Sequence, residues 1–148
     1  MMKTYIGIDP GKSGALALLT EDGQCTVVPF HESAYTAILK AASGPSSVCC
    51  LEKVGAMPGQ GVVSMFNFGH NLGYIEGLLQ AFDIPYQLVP PQTWKKEFCV
   101  TSDKNTSIEV CRKLFPHVCL LPTARSRKPS DGMAEAMLLA EYARRRRF

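Results

Sequence analysis

The stretch Tyr5-Ile6-Gly7-Ile8-Asp9-Pro10-Gly11-Lys12-Ser13-Gly14-Ala15-Leu16-Ala17-Leu18-Leu19 decides the reading of this chain. It begins as a short apolar strand and ends on a carboxylate. Pro10 and Gly11 then turn the chain, and Ala15 to Leu19 is apolar again. The pattern predicts a hairpin with Asp9 at the lip of a buried strand. Glycines at 7, 11 and 14 allow a backbone or a ligand to come close. An acid at a strand end is costly to desolvate unless a cation meets it, so a metal ion or a metal-bound phosphate is its natural partner. An ordinary turn aspartate is the plainer alternative for this motif taken alone.

Outward from the hairpin, Gln24 to Phe30 reads as a third strand. Ser33 is placed to cap a helix running to about Ala42. Val48 to Leu51 reads as a buried fourth strand that runs directly into Glu52, a second strand ending on an acid. The glycine-rich loop Gly55-Ala56-Met57-Pro58-Gly59-Gln60-Gly61 follows, then a helix from Val62 to about Phe82. In that helix Gly69, Gly73 and Gly77 recur at every fourth position and form one smooth face. It suits either the chain's own sheet or a second copy of the chain. Ile84 to Val89 is a fifth strand. Pro91 starts a short helix that carries Trp94, expected in the core, with Lys95 and Lys96. Thr101-Ser102-Asp103 caps a helix from about Lys104 to Phe115. After the basic loop Leu121 to Pro129, Ser130 or Asp131 caps the last helix, which ends in Arg144–Arg147.

Three antiparallel strands followed by β-α-β crossovers predict an α/β fold. It has a five-stranded mixed sheet, three strands antiparallel plus two parallel, with helices on both faces. A length of 148 residues, 46% of them hydrophobic, suits one core, so residues 1–148 read as a single domain. No apolar run approaches the ~20 residues of a membrane span, and no export signal is seen. A cytoplasmic protein with no membrane partner is therefore expected. The six cysteines include no C-x-x-C pair, which argues against zinc and for reduced, mostly buried thiols. Charge is uneven. Residues 1–94 hold four lysines against seven acids, and residues 95–148 hold twelve Lys plus Arg against six. The basic second half is compatible with a polyanionic partner.

If the first and fourth strands are parallel neighbours, Asp9 and Glu52 lie side by side at their carboxyl ends, where ligands of α/β sheets collect. Asp131 and Glu135 share one face of the last helix and can reach the same edge. Carboxylates so close repel one another unless cations bind or their pKa values shift. Oxygen-only ligation points to Mg²⁺ or Mn²⁺, and two such ions together suit phosphodiester hydrolysis.

The set Gly7-Ile8-Asp9-Pro10-Gly11, Leu51-Glu52-Lys53-Val54 and Asp131-Gly132-Met133-Ala134-Glu135-Ala136 resembles the RuvC-type Holliday junction resolvases, of the RNase H-like (retroviral integrase-like) nucleases. The segments Met57-Pro58-Gly59-Gln60-Gly61 and Met65-Phe66-Asn67-Phe68-Gly69 look like the phage and prophage branch. The resemblance spans the chain and implies a homodimeric, Mg²⁺-dependent endonuclease acting on four-way and other branched DNA. It implies Mn²⁺ as a substitute, two metals per active site and no nucleotide cofactor. Asp9, Glu52, Asp131 and Glu135 would then be metal ligands and catalytic residues. Lys104 would stand near the scissile phosphate, and Lys12, Lys95, Lys96, Arg125, Arg127 and Lys128 would hold DNA. Two departures stand out. Cellular members end in a D-x-x-D pair, where this chain has Asp131 and Glu135, and which of the two is the closer ligand stays open. Cellular members also carry a junction-wedging aromatic where this chain has Gly55. Phe66 or Phe68 can substitute for it or belong to the core. Two alternatives are a junction-binding protein without catalysis and an actin-like ATPase, although the latter needs two duplicated lobes.

Overall fold

In the computed structural model, which describes residues 2–55 and 58–148, five strands form one mixed sheet in the order β3-β2-β1-β4-β5. The strands are β1 (Thr4–Asp9), β2 (Ala15–Thr20), β3 (Cys25–Pro29), β4 (Ser47–Glu52) and β5 (Tyr86–Val89). The helices are α1 (Glu32–Ala41), α2 (Val62–Ala81), α3 (Pro91–Phe98), α4 (Lys104–Leu114) and α5 (Asp131–Arg146). β1, β2 and β3 pair antiparallel, whereas β4 lies parallel to β1 and to β5. This is the fold class expected from the sequence. Ala56 and Met57 of the glycine-rich loop lie outside the described residues.

The central position of β1 and β4 explains their sequences. A strand covered on both faces carries an unbroken apolar run rather than an alternating one. All six residues of β4 are buried, as are Tyr5 to Ile8 of β1. Ile6 and Ile8 face α1 and α2, in a core with Leu39, Leu51, Ile75 and Leu79. Tyr5 and Cys50 face the opposite side, in a core with Trp94, Met137 and Leu138. Full burial of an aliphatic side chain of this size contributes roughly 1.5–3 kcal/mol.

Helix α5 is itself almost wholly buried and lies directly on the sheet. Gly7 permits this approach, because a Cβ there would stand 2.1 Å from the Ala136 carbonyl oxygen. Gly132 does the same at the start of the helix, where a Cβ would come within 2.3 Å of the Ser13 carbonyl oxygen.

Several expectations need correction. His31, not Ser33, caps α1, because its Nδ1 accepts from the Ala34 N–H. β5 starts at Tyr86, two residues later than expected. Asp103 caps α4 as expected, and of the two candidates Ser130 is the cap of α5. All six cysteines are free, but Cys99 and Cys119 are exposed and Cys25 is only half-buried. The glycine stripe of α2 does not pack on the sheet. A Cβ at Gly69, Gly73 or Gly77 would meet nothing within 4 Å. Val62 (84% exposed) and Phe66 (73%) extend the same open face, so Phe66 is not a core residue. Among the described residues, no helix is long and apolar enough to cross a membrane.

Candidate active site

Parallel pairing sets Ile8 opposite Leu51, so Asp9 and Glu52 leave the sheet side by side at the carboxyl ends of β1 and β4. Helix α5 brings the other two acids. The Ser130 side chain accepts from the Met133 N–H at 3.2 Å, and the Ser130 N–H donates to the Leu120 carbonyl at 2.8 Å. These bonds fix where the helix begins and close the basic loop of residues 121–129 upon itself. Asp131 is thereby the first residue of α5, where the helix dipole favours an acid. Glu135 follows one turn later.

Glu135 is more enclosed than Asp131, with a side chain 15% exposed against 37%. It is also Glu135 that lies in hydrogen-bond reach of Asp9, together with Glu52. Burial, then the negative charges of Glu52 and Glu135, push the Asp9 carboxyl well above the usual carboxylate range. Burial raises Glu52 too, against the opposing pull of the Trp94 N–H and of Lys95. Glu135 is pushed up to about 6, by burial first and then by the charge of Glu52. Two carboxyls hydrogen-bond only if a proton is shared between them, and burial favours that proton at this cluster.

Three of the four acids have a donor of their own. The Trp94 indole N–H donates to Glu52 Oε2 at 2.7 Å. Lys95 Nζ lies 3.8 Å from Glu135 and 5.7 Å from the centre of the Trp94 ring. Lys104 Nζ lies 3.9 Å from Asp131. Asp9 has no cationic partner among the described residues. Glu52 and Glu135 each meet Asp9, but among the described residues no three His, Cys, Asp or Glu side chains are gathered closely enough to hold a metal ion as they stand. The donor set nevertheless fits a hard divalent cation. It consists of oxygen ligands whose mutual repulsion a bound cation would relieve where no lysine does.

Helix α3 owes its place to its start. Lys53 N–H donates to the Val89 carbonyl, and Pro90 and Pro91 then turn the end of β5 straight into the helix. Trp94 and Lys95 thus reach two different carboxylates from adjacent positions. A cleft of about 720 Å³ opens beside Glu52, lined by Lys53, Phe68, Pro91 and Gln92 among others. Phe68, part of its lining, also lies close to Gly11, where an added Cβ would stand 3.7 Å from its ring.

The remaining candidates lie around this centre. Lys12 is exposed in the β1–β2 turn, Lys96 is exposed on α3, and Arg125, Arg127 and Lys128 are exposed in the loop before α5. The arginines at the far end of α5 do a different job. Arg144 forms two 2.7 Å bonds to the buried Glu141, and Arg145 and Arg146 both pair with Glu97 of α3. Arg145 and Arg146 thereby clamp α5 to α3 about 20 Å from Asp131, by the 1.5 Å helical rise. Sequence reasoning missed the second role of Trp94. The available signal was that a buried indole N–H requires an acceptor.

A scan against family models finds no match, and a search of curated proteins finds none. Among solved structures, the chain is similar to a Thermus thermophilus RuvC structure with a TM-score of 0.56 at 14% identity, covering 97% of this chain and 96% of that one. It is likewise similar to T. thermophilus RuvC in complex with a Holliday junction substrate, with a TM-score of 0.60, the same identity and the same coverage. At this identity the likeness establishes the fold, which is RuvC-like within the RNase H-like class.

Proposed function

We propose that this chain is a divalent-cation-dependent endonuclease that cuts branched DNA, four-way junctions in particular. The observation that carries the reading is the convergence of Asp9, Glu52 and Glu135 at the carboxyl ends of β1 and β4, with the central acid unbalanced by any cation among the described residues. A pure DNA binder gains nothing from buried negative charge facing a phosphate. The solved neighbour described as a complex with a Holliday junction substrate supports the choice of DNA.

In this reading Asp9, Glu52, Asp131 and Glu135 hold Mg²⁺ or Mn²⁺, two per site. Cations bound there would polarise the scissile phosphate and lower the pKa of an attacking water. The chain's own residues do the rest. Lys95 offsets the charge of Glu135 and keeps that carboxylate ionised. Lys104, 80% exposed beside Asp131, is free to swing onto a phosphate oxygen at the reacting centre. Lys12, Lys96, Arg125, Arg127 and Lys128 hold flanking phosphates, which fixes position rather than sequence. A four-way junction presents two symmetry-related strands, so two copies of this 148-residue nuclease unit would act as a pair. The open glycine face of α2 is the proposed contact between them.

The test is cleavage of four-way, three-way and flap DNA with Mg²⁺, run beside Asp9→Asn. The reading expects metal-dependent cutting by the wild type. It also expects loss of cutting in the variant, with DNA binding intact or tighter. Full activity in Asp9→Asn would end it.

A further inference from the structure

We infer that Trp94 is a positioning residue, whose indole N–H holds one oxygen of Glu52 and so fixes how that carboxylate meets a cation. The inference rests on the metal-dependent reading above. Its basis is a bond between two enclosed groups: Trp94 is fully buried, Glu52 is 6% exposed, and their separation is 2.7 Å. Water does not compete with such a bond, so it holds the carboxylate in one orientation. The indole engages Oε2, which leaves Oε1 outside this contact.

The type of donor matters. An indole N–H donates only, carries no charge and does not titrate near neutral pH. It therefore orients Glu52 without neutralising it, and the carboxylate keeps its charge for a cation. A lysine in the same place would itself act as the counterion. The adjoining Lys95 does this for Glu135, so one turn of α3 supplies a neutral donor to one acid and a charged one to the next. Where α3 stands, and with it the indole, is set by Pro90 and Pro91 at its start.

Trp94 is the chain's single tryptophan, so its emission reports directly on this bond. The experiment is a calorimetric Mg²⁺ titration of wild type and Trp94→Phe. A parallel emission titration is run on wild type and Glu52→Gln. Trp94→Phe keeps an aromatic ring in the core and removes the donor. Loss of a partner of this kind weakens metal binding or activity by about 10–100-fold. The expected result is a drop of that size in Mg²⁺ affinity and in kcat, with KM for the junction unchanged. In wild type, Mg²⁺ should change Trp94 emission with the calorimetric midpoint, and Glu52→Gln should abolish the change. A folded Trp94→Phe with wild-type Mg²⁺ affinity and kcat would overturn the inference. So would wild-type emission that stays constant while calorimetry records binding. If Trp94→Phe does not fold, the emission titration of the wild type decides alone. A wild type that neither binds Mg²⁺ nor cuts DNA would overturn the nuclease reading itself, and this inference with it.

Discussion

Asp9 is enclosed by carboxylates and faces no cation among the described residues, and that imbalance has a thermodynamic signature. A carboxyl whose pKa is raised by folding binds its proton more tightly in the folded state than in the unfolded one. Without metal, stability should therefore rise as pH falls through the window between the two values. For Glu135 the window runs from the ordinary 4.5 to about 6, and the upward shift of Asp9 acts in the same direction. At 1.36 kcal/mol per pKa unit, Glu135 alone accounts for roughly 1–2 kcal/mol. Melting temperature in EDTA should then increase between pH 7.5 and pH 5, and saturating Mg²⁺ should raise the pH 7.5 value and flatten the trend. A melting temperature that falls steadily over this range in EDTA would mean the acids are not enclosed as described. The four acids were legible in the sequence because each ends a strand or shares a helical face. That Glu135 rather than Asp131 meets Asp9 was not legible, since it depends on how deeply α5 sinks onto β1.

Glycines mark the difference between faces of helices in contact and faces left open. Gly7 and Gly132 lie where α5 touches the sheet backbone to backbone, so Gly7→Ala or Gly132→Ala should destabilise by about 1–3 kcal/mol or more. Gly73 stands in the exposed middle of α2 with nothing near it, and Gly73→Ala should stabilise by about 0.5–1 kcal/mol through helix propensity. Urea unfolding of the variants reads both signs, and a Gly7→Ala as stable as wild type would contradict the packing of α5. Element order and most boundaries followed from apolar runs and from Pro and Gly punctuation. The orientation of the α2 stripe did not, because a smooth glycine face suits either a sheet or open space. The cap of α1 was missed because His31 fills a place that serine usually takes.

For the whole molecule, the open face of α2 carries the question of assembly. Gly73→Arg should leave the fold intact, since the added side chain enters free space. If α2 is the contact between copies, the variant should sediment as a monomer and nick one strand without paired resolution. A dimer that survives Gly73→Arg would move the contact elsewhere. The exposed basic loop makes a second demand at this scale. Junction affinity should fall with salt by a log–log slope of roughly −0.9 per duplex phosphate neutralised. Replacing Arg125, Arg127 and Lys128 together should flatten that slope, as filter binding across a salt series would record, and an unchanged slope would remove the loop from the DNA. The uneven charge of the two halves was visible in the sequence. That Asp9 and Glu52 of the first half meet Glu135 of the second came from the seating of α5 across β1 and β4.

The seating of α5 on β1 also has a consequence in time. Asp9 lies on β1 and Glu135 on α5, so the ribosome makes the two acids well apart in time, and neither forms a site without the other. At translation rates of about 5–20 residues per second, roughly six to twenty-five seconds separate the synthesis of Asp9 from that of Glu135. In the proposed role, that interval leaves a nascent nuclease unable to cut DNA until residue 135 has left the exit tunnel and α5 has settled with Ala136 against Gly7 and Gly132 against Ser13. The burden then falls on the sheet face that α5 will cover. Tyr5, Ala17 and Cys50 wait through that interval for α5 to cover them, so this face is where a chaperone would be needed first.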